Sequence, residues 1–404
     1  MRDLKIFTNN IEIEALDQIN TLLDQEVFEN SKVRIMPDVH AGKGCVIGFT
    51  ANLGDKVIPN IVGVDIGCGM LTAELGNIDL DLEKLDEVIN KYIPSGRNIH
   101  GNKQITFDRI KDMHCYKYFK NKDRFEKSIG TLGGGNHFIE VDVDELNNKY
   151  LIIHSGSRNL GNQVAKYYQD LAIKLCDHNG EMLLEKENKI KRLKRYGKEE
   201  LIQFELKLIE DKYQKINPNL PDDLCYLKGK YRNMYLNDMK ICQEYASLNR
   251  RIILSLIRLN YNEIVNNNFI NIENSFETIH NYIDLESNIV RKGSISAKLR
   301  ERVLIPINMR DGCIIAIGKG NDDYNQSAPH GAGRLMSRTK AKETYNLDEY
   351  KESMKGIYTT SINKNTIDEA PFVYKPIQEI LDNIKDTAEV ERIIKPIYSF
   401  KASE

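Results

Sequence analysis

The chain has 404 residues, of which 41% are hydrophobic and 29% charged, a globular balance that excludes a disordered polyelectrolyte. Fifty-seven Lys and Arg against 59 Asp and Glu leave a formal net charge of -2, so no global basic field marks a nucleic-acid binder, and any polyanionic partner would have to meet local basic clusters. The opening MRDLKIFTNN lacks a signal-peptide core and no run approaches the roughly 18 apolar residues of a membrane span, so a soluble, cytoplasmic protein is expected.

Residues 1 to about 160 are rich in Gly, Val and Ile. Four stretches, VRIMPDVHAGKGCVIGF, VIPNIVGVDIGCGM, IGTLGGGNHFIEVDV and YLIIHSGSRNLG, read as short buried strands running into glycine turns. The spacing of DLDLEKLDEVINKYI predicts a helix over Asp79 to Ile93. From about Asn162 to Asn260 glycine thins out and Lys, Glu, Leu and Ile recur at helical spacing, interrupted by NPNLPDD. The basic run from Lys186 to Lys198 is most simply a solvated helix face. Strand texture returns in FINIENSFETIHNYI, RVLIPINM and GCIIAIGKG, and a basic helix is expected over Gly331 to Tyr345. The residues of chemical interest lie on either side of the helical stretch. The expected fold is therefore α+β: one catalytic unit over 1–404, with a helical insertion at roughly 162–264.

Seven cysteines, at 45, 68, 115, 176, 225, 242 and 313, form no CxxC pair, as expected of reduced, mostly buried thiols. Among eight histidines, His100, His114 and His178 have polar, patternless settings and read as surface residues, and His40 reads as a turn stabiliser. Asp65 and Cys68, three apart on a glycine turn, are placed to converge on one ion, for which a thiolate favours Zn, Mn or Fe over Mg. A turn-forming Asp beside a buried Cys is the plainer reading. His137 after GGG, His154 at the end of an apolar run and His280 at the end of another add three candidate ligands, while glycine N–H groups suit phosphate. His330 lies on a Pro-His-Gly turn ahead of the expected basic helix. Arg334 and Arg338 in its first turns are placed to hold an anion beside the imidazole. Such an imidazole serves as base, acid or nucleophile toward phosphorus, or the loop only binds phosphate.

Nine strings, MPDVHAGKG, VGVDIGCGM, GTLGGGNHFIEV, IHSGSRNLG, IHNYI, RKGSISA, SAPHGAGRLMSRTKAK, DEAPFVYKPI and the near-terminal Lys401, together resemble the RtcB family of RNA-splicing and RNA-repair ligases. They run in the family's order from residue 36 to 401, so the resemblance covers essentially the whole chain. It implies an α+β unit of β-sheets with helices outside and a metal site in a central cleft. His330 matches the histidine that attacks the α-phosphate of GTP and becomes histidine–GMP. Asp65, Cys68, His137, His154 and His280 match the ligands of two manganese ions. There the thiolate bridges, Asp65 and His137 complete one ion, and His154 and His280 the other. Asn136, Glu140 and Asn281 match residues beside the nucleotide, and Gly331, Ala332 and Gly333 match the turn beneath the guanylate. Glu369, Tyr374 and Lys401 match positions near guanine and ribose, and Arg158 matches an arginine near RNA or the transferred phosphate.

The implied reaction guanylates His330, held neutral by a neighbouring cation, and passes GMP to an RNA 3′-phosphate. A 5′-hydroxyl then attacks that end, and a 2′,3′-cyclic phosphate is first opened by hydrolysis. RNA contact is expected at Arg158, Lys292, Arg334, Arg338, Lys340 and Lys342. The implied task is tRNA splicing or RNA repair, with GTP and Mn²⁺ as cofactors; a monomer is expected, and an activating protein partner is compatible with the resemblance. Val290 replaces a histidine common before the Arg-Lys-Gly string, Pro306-Ile307-Asn308-Met309 replaces a Gly- and Ser-bearing nucleotide loop, and Ser327-Ala328-Pro329 precedes the nucleophile position. These differences bear on paralogue identity. Two competing readings are a non-catalytic RNA-end binder and a metal-dependent phosphohydrolase of RNA ends; the second has no need of His330.

Overall fold

The computed structural model describes residues 3–177, 180–212, 220–265 and 270–402. The strands are β1 (Asp3–Ile6), β2 (Lys32–His40), β3 (Ile47–Asn52), β4 (Lys56–Val57), β5 (Gly69–Gly76), β6 (Phe138–Val143), β7 (Lys149–Ser155), β8 (Leu227–Lys228), β9 (Asn274–Ile279), β10 (Asn281–Asp284), β11 (Ile289–Lys292), β12 (Ser294–Ser296), β13 (Arg302–Asn308), β14 (Gly312–Gly318), β15 (Ser327–Pro329) and β16 (Ala388–Lys401). The helices are α1 (Ile13–Leu23), α2 (Leu82–Tyr92), α3 (Asp123–Ser128), α4 (Arg158–Asp177), α5 (Gly180–Arg195), α6 (Ile202–Lys212), α7 (Gly229–Ile264), α8 (Arg338–Thr344), α9 (Leu347–Ser353) and α10 (Ile377–Asn383).

A seven-stranded antiparallel sheet has the order β13-β14-β16-β6-β7-β5-β9. Its two edges curl toward each other, and the Leu304 N–H on β13 donates to Thr278 Oγ1 on β9 at 3.0 Å, nearly closing a barrel. Met70, Phe138, Tyr150, Ile152, Leu304, Cys313, Ile315 and Ile394 fill the interior. A five-stranded sheet, β1-β2-β3-β11-β10, lies beside it, and the short β12–β15 ribbon carries the chain into the 330 turn.

The expected α+β composition is observed, and α2 falls inside the helix read at 79–93, with Asp81 capping it by accepting from the Lys84 N–H at 3.1 Å. Within the helical stretch, α4 and α7 pack into the core through Leu160, Val164 and Tyr168 on one and Tyr235, Ile241 and Tyr245 on the other. Helices α5 and α6 pair with each other through Lys186–Glu210 and Lys189–Glu205 at 2.6 and 2.8 Å, so the basic run neutralises part of its own face. The end of the segment read as helical to Ile216, and the Asn-Pro-Asn of the interruption, lie outside the described residues.

The helix expected over Gly331 to Tyr345 is shorter: α8 begins only at Arg338, capped by Ser337, and 331–337 is irregular chain. Two glycines in three residues, one of them Gly333 at φ +78°, explain the shortfall, because a left-handed residue cannot sit inside a right-handed helix. Any Cβ at Gly333 would also strike the Asp38 backbone. Arg334 therefore lies outside the helix, and α8 begins eight residues after His330 rather than directly behind it.

Candidate metal centre and nucleotide pocket

Strand register brings the candidate ligands to one rim. Phe138 on β6 pairs with His154 on β7, Gly69 on β5 pairs with Ser155, and Gly69 also pairs with Ile279 on β9. His137, Cys68 and His280 are the residues just outside those strand ends, so they share an edge with His154 though up to 212 residues separate them (280 − 68). The His280 N–H donates to the Cys68 carbonyl at 3.0 Å and locks that junction. From α7, the fully buried Arg250 donates to the carbonyls of Gly67 and Ser155 at 2.9 and 2.8 Å. The helical stretch thus pins both loops that carry the ligands.

Around this edge the side chains form a row. Asp65 Oδ2 lies 2.9 Å from His137 Nε2. Cys68 Sγ lies 3.5 Å from His137 Nε2 and 3.3 Å from His154 Nε2. The His154 and His280 rings are 5.1 Å apart, and the His280 and His330 rings 4.9 Å apart. Glycine makes the row possible at two points: a Cβ at Gly156 would strike the Asp65 carboxylate, and one at Gly133 would strike His137 and the Arg158 guanidinium. The GGG segment, read as backbone laid open to a ligand, spends Gly133 on that packing instead.

The electrostatics fit divalent cations. His137 Nδ1 faces the Leu132 carbonyl at 2.8 Å, which fixes its N–H there and leaves Nε2 as a lone-pair donor. Burial, then neighbouring His137, Lys401 and His330 charge, pushes His154 well below the usual histidine range, and burial with His330 and His154 does the same for His280. Both are therefore neutral imidazoles at neutral pH, the form that binds metal. Their Nδ1 atoms are buried without a hydrogen-bond partner. Burial raises the Asp65 carboxyl, but hydrogen bonding and charge from His137, with Arg158 beyond, hold it at about 2, so it is an anion. Burial and Asp65 push the Cys68 thiol up, and a coordinated cation reverses that by stabilising the thiolate. Two carboxylate oxygens, a shared sulfur and three imidazoles fit a pair of borderline-soft ions better than Mg²⁺.

A cavity of about 650 Å³ opens above the row. Asp65, Cys68, His154 and His280 line its floor with Asn136, Glu140 and Asn281, and His330 to Arg334 line one wall with Arg338, Glu369, Tyr374 and Lys401. His137 and Arg158 stand behind the floor rather than in the lining. Arg158 donates to Thr131 Oγ1 at 3.2 Å and to the Gly96 carbonyl at 3.0 Å, tied into the loop that carries His137. Lys401 Nζ meets Glu369 Oε2 at 2.8 Å, and the Tyr374 hydroxyl donates to the same oxygen at 2.7 Å. Burial raises Glu369, but Lys401 and Arg338 outweigh it and hold the carboxyl at about 2.

The group beside His330 is a carboxylate, not a cation: His330 Nδ1 is 2.5 Å from Asp38 Oδ2, whose residue is fully buried. Sequence reading passed over Asp38, although it sits inside the MPDVHAGKG string two residues before His40. Arg334 and Arg338 do not flank the imidazole as free cations. Arg334 donates to the Asp368 carbonyl at 2.6 Å, and Arg338 pairs with Asp368 and Glu369, each at 2.6 Å. Lys292 is buried, donating to the carbonyls of Lys43 and Asn60 at 2.5 and 3.1 Å, so it is a brace rather than an RNA contact. Lys340 is exposed, and Lys342 reaches Asp368 at 3.3 Å. His40 lines the cavity with its Nδ1 2.9 Å from the Asp38 carbonyl, so it stabilises the turn and also faces the site. His100 is half-buried, bonded to the Gly130 carbonyl at 3.0 Å, where an exposed residue was expected. His114 is exposed as expected, and His178 lies outside the described residues. Val290 is a core residue, and Pro306 to Met309 contribute a mostly apolar stretch of cavity lining, interrupted by Asn308.

A near-closed sheet whose rim gathers Asp, Cys and three His beside a carboxylate-held histidine forms the candidate metal centre. The chain belongs to the RtcB family: the family model described as tRNA-splicing ligase RtcB matches residues 23–118 and 108–402. It is 29% identical over 438 residues to the RNA-splicing ligase RtcB of Escherichia coli (strain K12), covering 98% of this chain and 97% of that protein. It is 26% identical to the tRNA-splicing ligase RtcB of Nanoarchaeum equitans, covering 94% and 90%, and 25% identical to that of Methanococcus maripaludis, covering 91% of each. Among the described residues no helix is long and apolar enough to cross a membrane.

Proposed function

We propose that this chain is an RNA ligase that joins a 3′-phosphate or 2′,3′-cyclic phosphate end to a 5′-hydroxyl end through a guanylated His330, in the cytoplasm, as a monomer. The observation that carries the reading is the position of His330 at the end of the ligand row, its Nδ1 held by Asp38. With the Nδ1 proton bound to that carboxylate, Nε2 keeps its lone pair and is the atom that attacks phosphorus. The new N–P bond forms as the bond from the α-phosphate to pyrophosphate breaks. The guanylate then passes to an RNA 3′-phosphate oxygen, and attack by a 5′-hydroxyl closes the phosphodiester and releases GMP.

Asp65, Cys68 and His137 would hold one Mn²⁺, and Cys68, His154 and His280 the other. Bound there, the ions neutralise phosphate charge and polarise the attacking and leaving oxygens. Glu369, Tyr374 and Lys401 suit the guanine and ribose end of GTP, Asn136, Glu140 and Asn281 lie beside the floor, and Gly331, Ala332 and Gly333 leave room beneath the guanylate. Arg334 and Arg338, braced by Asp368 and Glu369, remain cavity-facing cations for RNA or phosphate, with Arg158 behind the metal loop.

An RNA carrying 3′-phosphate and 5′-hydroxyl ends, incubated with GTP and Mn²⁺, should be joined by wild type and not by His330→Ala. Joining of 3′-hydroxyl to 5′-phosphate ends instead would refute the reading, and 3′-phosphate removal that survives His330→Ala would point to the phosphohydrolase.

A further inference from the structure

Strand β6 carries a second set of acidic side chains, deeper in the barrel than the ligand row. Glu140 and Asp142 are two residues apart, so both leave the same face of the strand and enter the interior. Asp142 and Cys313 are fully buried and Glu140 is 3% exposed. Cys313 Sγ lies 3.9 Å from Glu140 Oε1, and ligand atoms of all three residues fall within 4.8 Å of one another. Glu140 reaches the cavity floor while Asp142 is not part of the lining.

The surroundings offer this pair little compensation. From β16, Lys401 is committed to Glu369 at 2.8 Å, Lys395 to the Asp311 carbonyl at 3.1 Å, and Ser399 faces Glu140 across the ladder. From β7, Tyr150 stands opposite Asp142, its hydroxyl donating to Asp144 and accepting from Arg392. Strands β5, β9 and β13 contribute Met70, Phe276 and Leu304, none of which titrates. Neither Asp142 oxygen has a hydrogen-bond donor. Two ionised carboxylates so close in an apolar interior repel each other and forfeit hydration, so either a proton or a cation has to sit between them.

We propose that Asp142 and Glu140 share one proton, carried by Asp142 and donated to the Glu140 carboxylate, and that Asp142 is thereby the positioning residue for Glu140 in the cavity floor. Burial and the facing Glu140 push Asp142 well above the usual carboxylate range, and burial lifts Glu140 to about 7. Burial and both carboxyls also push the Cys313 thiol up, keeping it S–H and a poor cation ligand. The consequence for nucleotide binding rests on the function proposed above, with Glu140 beside GTP; the shared proton does not.

Asp142→Asn separates the two neutralisers, because an amide replaces a protonated carboxyl as donor but cannot replace a carboxylate on a cation. The direct test is the infrared difference spectrum, wild type minus Asp142→Asn, on full-length protein at pH 8. A carboxylic-acid carbonyl band in the difference supports the shared proton. Its absence, or one bound metal ion fewer in the variant, overturns it. GTP titration follows: Asp142→Asn should bind within about twofold of wild type, and Asp142→Leu, which offers no donor, about tenfold more weakly, with a shifted pH profile. If both variants weaken equally, Asp142 acts as a carboxylate and the assignment is wrong. If wild type itself binds no GTP while the infrared band is present, the nucleotide reading fails and the shared proton stands.

Discussion

Asp38 holds His330 twice: its Oδ2 accepts the His330 backbone N–H at 3.0 Å and faces Nδ1 at 2.5 Å. The two contacts fix both the turn and the ring, so the nitrogen left for chemistry is Nε2. Asp38→Asn offers an amide in place of the carboxylate and favours the tautomer with its proton on Nε2. Guanylation of His330 should fall by about a hundredfold or more, with GTP affinity little changed. Label transfer from α-labelled GTP checks the first, and equilibrium binding the second.

Cys68 Sγ reaches a ligand in each half of the row, His137 Nε2 at 3.5 Å and His154 Nε2 at 3.3 Å. Cys68→Ser replaces a soft, shared donor with a hard one that ionises poorly. Bound Mn²⁺, measured on protein dialysed to equilibrium, should drop from two per chain to one or none, with the circular dichroism spectrum unchanged. Two retained ions would place the bridge elsewhere.

Glu369 and Lys401 form a pair that is 3% and 6% exposed, with the carboxyl held at about 2. The folded value lies below the roughly 4.3 of an unfolded glutamate, so this stability is fully present above about pH 4.5 and is lost as pH falls toward 2. Wild type should lose on the order of 3 kcal/mol through this group alone. Lys401→Met removes the first cause of the depression, so the difference in urea midpoint between pH 6 and pH 3 should shrink relative to wild type. An unchanged difference would assign the depression to Arg338.

Lys292 is 4% exposed and spends its ammonium on backbone carbonyls. Lys292→Met should lower the melting temperature by several degrees and leave the salt slope of RNA binding unchanged. Lys340→Ala should do the reverse, lowering the slope without affecting stability.

Asp65, Cys68, His137 and His154 were legible because each sits where an apolar run meets glycine, and His280 because it ends an apolar run, patterns that survive in one dimension. Their common edge was not, since it depends on the β5-β7-β6 register and on Arg250 tying Gly67 to Ser155. The 331–345 segment misled because its charge pattern suits a helix, while Gly333 packs on Asp38 at positive φ. Lys292 looked like an RNA contact, and Arg334 and Arg338 like free cations, because basic side chains carry no sign of which carbonyl or carboxylate will claim them. Asp38 went unread for the converse reason: it lies within a β-strand and 292 residues from the histidine it orients.

The most direct test is to incubate the protein with α-labelled GTP and Mn²⁺ and run a denaturing gel of wild type beside His330→Ala. A labelled, acid-labile band in wild type alone is the expected result. No band in wild type with Mn²⁺ and bound GTP, or an equal band in His330→Ala, would contradict the assignment of His330 as the guanylated nucleophile.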